Sequence, residues 1–169
     1  MTFTVGILTV SDKCSQGLRE DLSGEAIREI ISGSGGHVVD YAVVPDEKGM
    51  ISSKLADWAD RNGVDVIITT GGTGLGPRDV TPEATLAVVD RIIPGLPEAI
   101  RAFSLKKTPH AMLSRETSGS RKKTLIVNLP GSPRAVRESL PVILPALPHA
   151  VEVLKGEAGE CARPEESQP

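Results

Sequence analysis

The chain has 169 residues, 39% of them hydrophobic and 24% charged, with a formal net charge of −3 and a pI of about 5.6. That is enough chain for one domain with a substantial core, and the acidic balance argues against a nucleic-acid footprint over the whole surface. An aromatic content of 2% excludes a stacking platform for single strands and requires a core of Val, Ile, Leu and Ala.

Met1-Thr2-Phe3-Thr4-Val5 runs straight into a strand pattern with no signal-peptide character, and no apolar run is long enough to span a bilayer. Thr4 to Val10 is the first β-branched, buried-type strand, ended by Ser11-Asp12-Lys13. Leu22, Ala26, Ile27, Ile30 and Ile31 recur at helical spacing, and Gly33, Gly35 and Gly36 stop that helix. A strand over Val38 to Val44 ends in Pro45-Asp46-Glu47. A helix from about Lys48 then places Ile51, Leu55, Trp58 and Ala59 on one face, and Asn62-Gly63 closes it. Cys14 and Cys161 show neither zinc nor CxxC spacing, so they read as free thiols in a reducing, cytoplasmic setting.

Val64 to Thr70 is a short apolar run of the kind buried on both faces of a parallel sheet. Gly71, Gly72, Gly74 and Gly76 follow with almost no side chain, then Arg78 and Asp79, then Thr81 as a helix N-cap with Pro82 at the first helical position. A backbone this bare can approach a phosphate closely. No Gly-Lys-Ser/Thr follows, so it is not a P-loop. Pro77 stands where a dinucleotide fingerprint started at Gly72 requires its third glycine.

The helix after Pro82 is expected to run to about Asp90. A further helix over Glu98 to Lys106 carries Ile100 and Phe103 inward, and Thr108 to Arg115 is irregular. Ser118-Gly119-Ser120-Arg121 reads as a turn before a strand at Thr124 to Leu129, which ends in Pro130-Gly131-Ser132-Pro133. The final helix starts near Arg134 and is interrupted by Pro141, Pro145 and Pro148, with Pro145 opening a second segment. Residues 1–156 read as one domain and 157–169 as a polar tail.

Alternating strands and helices mean an α/β/α sandwich on a mostly parallel sheet, with every parallel strand's carboxyl end on one edge. Ser11 to Lys13, Pro45 to Glu47, Gly71 to Asp79 and Asn128 to Ser132 each follow a strand directly, so they should gather round one cleft. It would hold Asp12, Asp46 and Asp79, the cations Lys13 and Arg78, and accessible backbone N–H groups. That combination suits a nucleotide phosphate with Mg²⁺, which takes one or two carboxylates and completes its shell with water and phosphate oxygens. Taken singly, Asp46 reads first as a cap for the following helix and Asp12 as satisfying its own turn; their convergence on one sheet edge favours a site. No histidine pair has metal spacing, and no serine is tied to a histidine.

The motifs Thr-Val-Ser-Asp (9–12), Val-Pro-Asp-Glu (44–47), Gly-Gly-Thr-Gly with Pro-Arg-Asp-Val-Thr-Pro-Glu-Ala-Thr (71–85), Ala-Met-Leu-Ser-Arg (111–115) and Asn-Leu-Pro-Gly-Ser-Pro (128–133), in this order, closely resemble the molybdopterin-binding MogA/MoaB family, which includes the gephyrin N-terminal domain. The resemblance implies a homotrimeric three-layer domain that transfers AMP from Mg-ATP to molybdopterin, releasing pyrophosphate ahead of molybdate insertion by a possible partner. It implies Asp46 and Asp79 as the acidic, metal-holding pair, and Gly71, Gly72, Thr73, Gly74, Pro130, Gly131 and Ser132 as nucleotide-binding. Ser11, Asp12, Arg78, Ser114 and Arg115 would contact substrate. A non-catalytic molybdopterin carrier or scaffold, and a nucleotide-hydrolysing relative, are the alternatives.

Overall fold

The computed structural model describes residues 2–61 and 64–158. The expected close at Asn62-Gly63 and the tail from 159 onward, Cys161 included, lie outside the described residues. Among the described residues six strands form one sheet: β1 (Phe3–Val10), β2 (Gly36–Val44), β3 (Val66–Thr70), β4 (Arg91–Ile92), β5 (Ser118–Arg121) and β6 (Thr124–Leu129). Their order across the sheet is β2-β1-β3-β6-β5-β4. The first four in that order run parallel, while β5 is antiparallel to β6 and β4 antiparallel to β5.

Alternation within the central strands explains the layers. Phe3, Val5 and Ile7 of β1, Val66 and Ile68 of β3, and Leu125, Val127 and Leu129 of β6 pack into one core. There they meet α2 (Leu22–Ser32), α5 (Gly95–Leu105), α6 (Pro133–Ile143) and α7 (Leu147–Lys155). Leu8, Val10, Ile67 and Ile126 point the other way, into a core with α3 (Lys48–Asp60) and α4 (Thr81–Leu86). All five residues of β3 are buried, as its β-branched run requires. The α3 stripe is as read from spacing, with Ile51, Leu55, Trp58 and Ala59 buried. On α5, Ile100 is buried and Phe103 half-buried.

Chain order predicts where a ligand would sit. From β1 the chain passes through α2 to β2 on one side. It then crosses through α3 to β3 on the other side of β1. Connections therefore diverge between β1 and β3, and the crevice at their carboxyl ends is the usual ligand position of an open α/β sheet. The register brings the ends level: Val10 faces Val44, Thr9 faces Thr70, and Thr70 faces Leu129.

Several local expectations are corrected. Ser118–Arg121 is not a turn but strand β5, paired to β6 through a tight connection at Lys122 (φ 51°) and to the two-residue β4. A Cβ on Gly119 would lie 2.5 Å from the Arg91 carbonyl oxygen, so small residues are needed for β4 to approach. Helix α4 stops at Leu86, well short of Asp90, whose N–H already bonds the Ser120 carbonyl at 2.7 Å. Thr81 is not its N-cap; Val80 is, with an aliphatic side chain that cannot bond, and the Thr81 hydroxyl donates instead to the Gly71 carbonyl at 2.8 Å. Helix α5 begins at Gly95, and the irregular stretch contains a 3-10 turn over Pro109–Leu113. After α6 the chain breaks as a 3-10 turn at Leu144–Ala146 containing Pro145. Pro148, in the first turn of α7, opens the second segment, and Pro141 is held inside α6 near its end.

Candidate active site

The glycine loop is shaped by contacts that forbid side chains. Gly71 (φ 96°) and Gly72 (φ 68°) are both left-handed, and a Cβ on Gly71 would lie 2.2 Å from the Val10 carbonyl oxygen. On Gly72 it would meet Thr81 Oγ1 at 2.3 Å and Asp46 Oδ1 at 3.3 Å. The Gly71 N–H donates to the Leu129 carbonyl, so it is unavailable to a ligand. Among the described residues, the N–H groups of Gly72, Thr73, Gly74 and Gly131 have no partner. Behind the loop, Asn128 donates to Thr69 Oγ1 at 3.0 Å and Thr85 Oγ1 at 2.9 Å and accepts from the Thr117 N–H, which ties β3, β6 and α4 together through a satisfied buried amide.

Asp46 and Asp79 come from different loops and line one cavity of about 400 Å³, shared with Ser11, Gly71, Gly72 and Gly131. Asp46 neither caps α3 nor stands free. Its Oδ2 accepts the Asp12 N–H at 2.8 Å, while the Asp46 N–H donates to Asp12 Oδ1 at 3.0 Å. The loops after β1 and β2 are thus clasped reciprocally. Burial, with the Asp12 and Asp79 carboxylates nearby, raises the Asp46 carboxyl above its ordinary pKa. Asp79 Oδ2 accepts the Gly76 N–H at 2.8 Å and sits 2.9 Å and 2.8 Å from where Cβ atoms of Gly74 and Gly76 would be. Each of the pair keeps its Oδ1 without a hydrogen bond among the described residues.

The other expected site residues separate into distinct positions. Hydrogen bonds from Arg78 and from the Asp46 N–H lower the Asp12 carboxyl below its ordinary pKa. Arg78 grips Asp12 with two nitrogens, at 2.9 and 3.1 Å, and Glu47 with a third at 2.9 Å, so it braces the loops after β1 and β2. Arg115 is likewise engaged: its guanidinium donates to the Gly74 carbonyl at 2.8 Å, the Asp79 carbonyl at 2.6 Å and the Glu83 carboxylate. The Ser132 hydroxyl caps α6, accepting from Ala135 N–H at 3.1 Å. Thr73, Gly74, Ser114 and Pro130 line a second cavity, of about 390 Å³, with His110 and Glu116. Of the residues that sequence reasoning gathered round a single cleft, Ser11, Asp46, Gly71, Gly72, Asp79 and Gly131 line the first cavity and Thr73, Gly74 and Pro130 the second, while Asp12, Arg78 and Ser132 line neither.

Sequence reading missed three residues here. Arg19 and Thr9 line the first cavity, carried there by the arch after α1 (Asp12–Ser15) and by β1. Glu116 lines the second, only 5% exposed, with Oε2 lacking a hydrogen-bond partner among the described residues; burial pushes its pKa up to about 7. A lone Glu after Ser-Arg carries no periodic signal of burial. Among the described residues, no group of three or more His, Cys, Asp or Glu is placed to hold a metal, and no helix is long and apolar enough to cross a membrane. A two-carboxylate site completed by substrate phosphates needs no third protein ligand, and the unbonded Asp46 and Asp79 oxygens fit that chemistry.

Comparison with known proteins identifies the family. Residues 6–149 match the family model described as a probable molybdopterin binding domain. The chain is 43% identical over 157 residues to the molybdopterin adenylyltransferase of Helicobacter pylori, covering 92% of this chain and 89% of that one. It is 46% identical over 160 residues to Dictyostelium discoideum gephyrin, covering 89% of this chain and 22% of the larger protein. The crystal structure of the molybdopterin biosynthesis enzyme MoaB from Thermus thermophilus superposes with a TM-score of 0.86 at 55% identity, over 91% of this chain and 97% of that one. The chain belongs to the molybdopterin-binding domain family.

Proposed function

We propose that this protein acts in molybdenum cofactor biosynthesis as a molybdopterin adenylyltransferase, transferring AMP from Mg-ATP to the terminal phosphate of molybdopterin and releasing pyrophosphate. The observation that carries the reading is the joint placement of Asp46, Asp79, Gly71, Gly72 and Gly131 on one cavity. The naming of the Helicobacter pylori and Escherichia coli relatives as molybdopterin adenylyltransferases supports it.

An oxygen of the molybdopterin phosphate attacks the α-phosphorus of ATP. The new O–P bond forms as the bond from that phosphorus to the α–β bridging oxygen breaks, and pyrophosphate leaves with the electron pair. A phosphate monoester is already anionic near neutral pH, so no strong general base is required. Asp46 and Asp79 would hold Mg²⁺ through their unbonded oxygens, where it would neutralise phosphate charge. The N–H groups of Gly72, Thr73, Gly74 and Gly131 orient phosphate oxygens, and Arg115 keeps the loop in shape from behind. The second cavity, with Thr73, Gly74, Ser114 and Glu116, takes the pterin, whose ring N–H and amino groups are donors that a buried carboxyl accepts.

The decisive experiment incubates the purified protein with ATP, Mg²⁺ and molybdopterin. Adenylylated molybdopterin with stoichiometric pyrophosphate, abolished by chelator, is the expected outcome. Pterin retained without product would make the protein a carrier, and pyrophosphate released without molybdopterin would make it a hydrolase. From the same resemblance we propose residues 1–156 as the working unit, a cytoplasmic homotrimer that hands its product to a molybdate-inserting partner. Sedimentation tests the trimer.

A further inference from the structure

The site is short of available positive charge. Arg78 and Arg115 are bound to protein partners, and neither lines the first cavity. The charged residues that do are Arg19, Glu20, Asp46 and Asp79, a net negative set that would repel a polyphosphate. Of these, Arg19 is the sole cation, and among the described residues its guanidinium has no hydrogen bond or ion pair.

Its position is built rather than incidental. Arg19 lies in the arch between α1 and α2. On one side Leu18 N–H donates to the Lys13 carbonyl at 2.9 Å and Gly17 turns the chain with φ 73°. On the other, Asp21 caps α2 by accepting the Gly24 N–H at 2.9 Å, and its Oδ2 takes the hydroxyls of Thr9 and Tyr41, each at 2.6 Å. Anchored within two residues on the Asp21 side, the arch carries Arg19 to the cavity that Gly71 and Asp79 line from another loop.

We infer that Arg19 binds the β- and γ-phosphates of the nucleotide, and the pyrophosphate they become, in the cavity it shares with Asp46, Asp79 and Gly71. This rests on the nucleotide reading above and adds the residue that holds the leaving group. Most of the triphosphate's charge lies beyond the α-phosphate, and more collects there as the bridging bond breaks. A planar guanidinium matches two phosphate oxygens at once, and a fixed cation at that end stabilises the departing charge.

Calorimetric titration of wild type, Arg19→Ala and Arg19→Lys with Mg-pyrophosphate, Mg-ATP and AMP tests it, with thermal melts as a fold control. Arg19→Ala is expected to weaken Mg-pyrophosphate and Mg-ATP binding about tenfold or more, while AMP binding changes by less than about twofold. Arg19→Lys should recover part of the loss, with melting unchanged in both variants. Equal Mg-pyrophosphate binding by wild type and Arg19→Ala overturns the assignment. So does a loss of AMP binding by the same factor, which would mean a displaced arch. If the wild type binds none of the three ligands, the nucleotide reading itself fails and this inference with it; the wild-type titration separates the two failures.

Discussion

Two aspartates at the amino edge of the sheet and the pair Asp46 and Asp79 at its carboxyl edge are treated in opposite ways. At the amino edge, Asp60 accepts Arg121 at 2.9 and 3.1 Å and Lys122 at 2.8 Å, and these partners pull its pKa down to about 2. Asp65, nearby, is answered by Lys155 at 2.8 Å and the Thr4 N–H at 2.9 Å. At the carboxyl edge, Asp46 and Asp79 accept, among the described residues, only backbone N–H groups, and Asp46 is raised rather than lowered. Carboxylates answered by the chain itself hold the fold. A carboxylate pair on one cavity with no ion pair among the described residues leaves room for a cation that arrives with substrate.

The largest test of that contrast is Asp79→Asn. We expect the molybdopterin-dependent release of pyrophosphate to fall ~100-fold or more, with thermal melting essentially unchanged. A variant turning over like the parent would remove the distinction between the edges. Next is Glu116→Gln, which probes a buried carboxyl that, among the described residues, has no ion pair and one oxygen without a hydrogen bond. Its folded pKa of about 7 lies above the ordinary 4.5, so the native state binds the extra proton. Its stabilising contribution is present below pH 4.5 and lost as pH rises to about 7. The amide should therefore match wild type near pH 4 and exceed it near pH 8 by up to roughly 3 kcal/mol, read from paired denaturant titrations. An unchanged difference across that range would place Glu116 in a wetter setting. The smallest effect belongs to Asp60→Asn. Its depressed pKa means a contribution present above pH 3.8 and lost as pH falls toward 2. The variant should show a slightly lower melting temperature at pH 7, a flatter acid limb and unaltered transfer rate.

What can be read without coordinates follows from how local each signal is. The runs at Thr4 to Val10, Val64 to Thr70 and Thr124 to Leu129 announce buried parallel strands because both faces are apolar, and the α3 stripe follows from spacing alone. The four loops at the carboxyl edge follow from strand direction. Strand β5 escapes such a reading because Ser-Gly-Ser-Arg has turn composition; it is a strand only because β6 and β4 flank it. Arg78 and Arg115 are expected from sequence to reach substrate, but a guanidinium's partners are set by tertiary neighbours such as Asp12, Glu47 and Glu83, which chain spacing does not reveal. The division of the expected cleft into two cavities has the same origin, since Arg115 pins the loop between them.

The reciprocal bonds between Asp12 and Asp46 make the two turns a single mechanical part. Neither can swing outward without breaking both links at once. Whatever docks on Asp46 therefore also steadies Asp12, the first residue of the segment that leads to Arg19, so grip at one wall of the chamber is transmitted to the other.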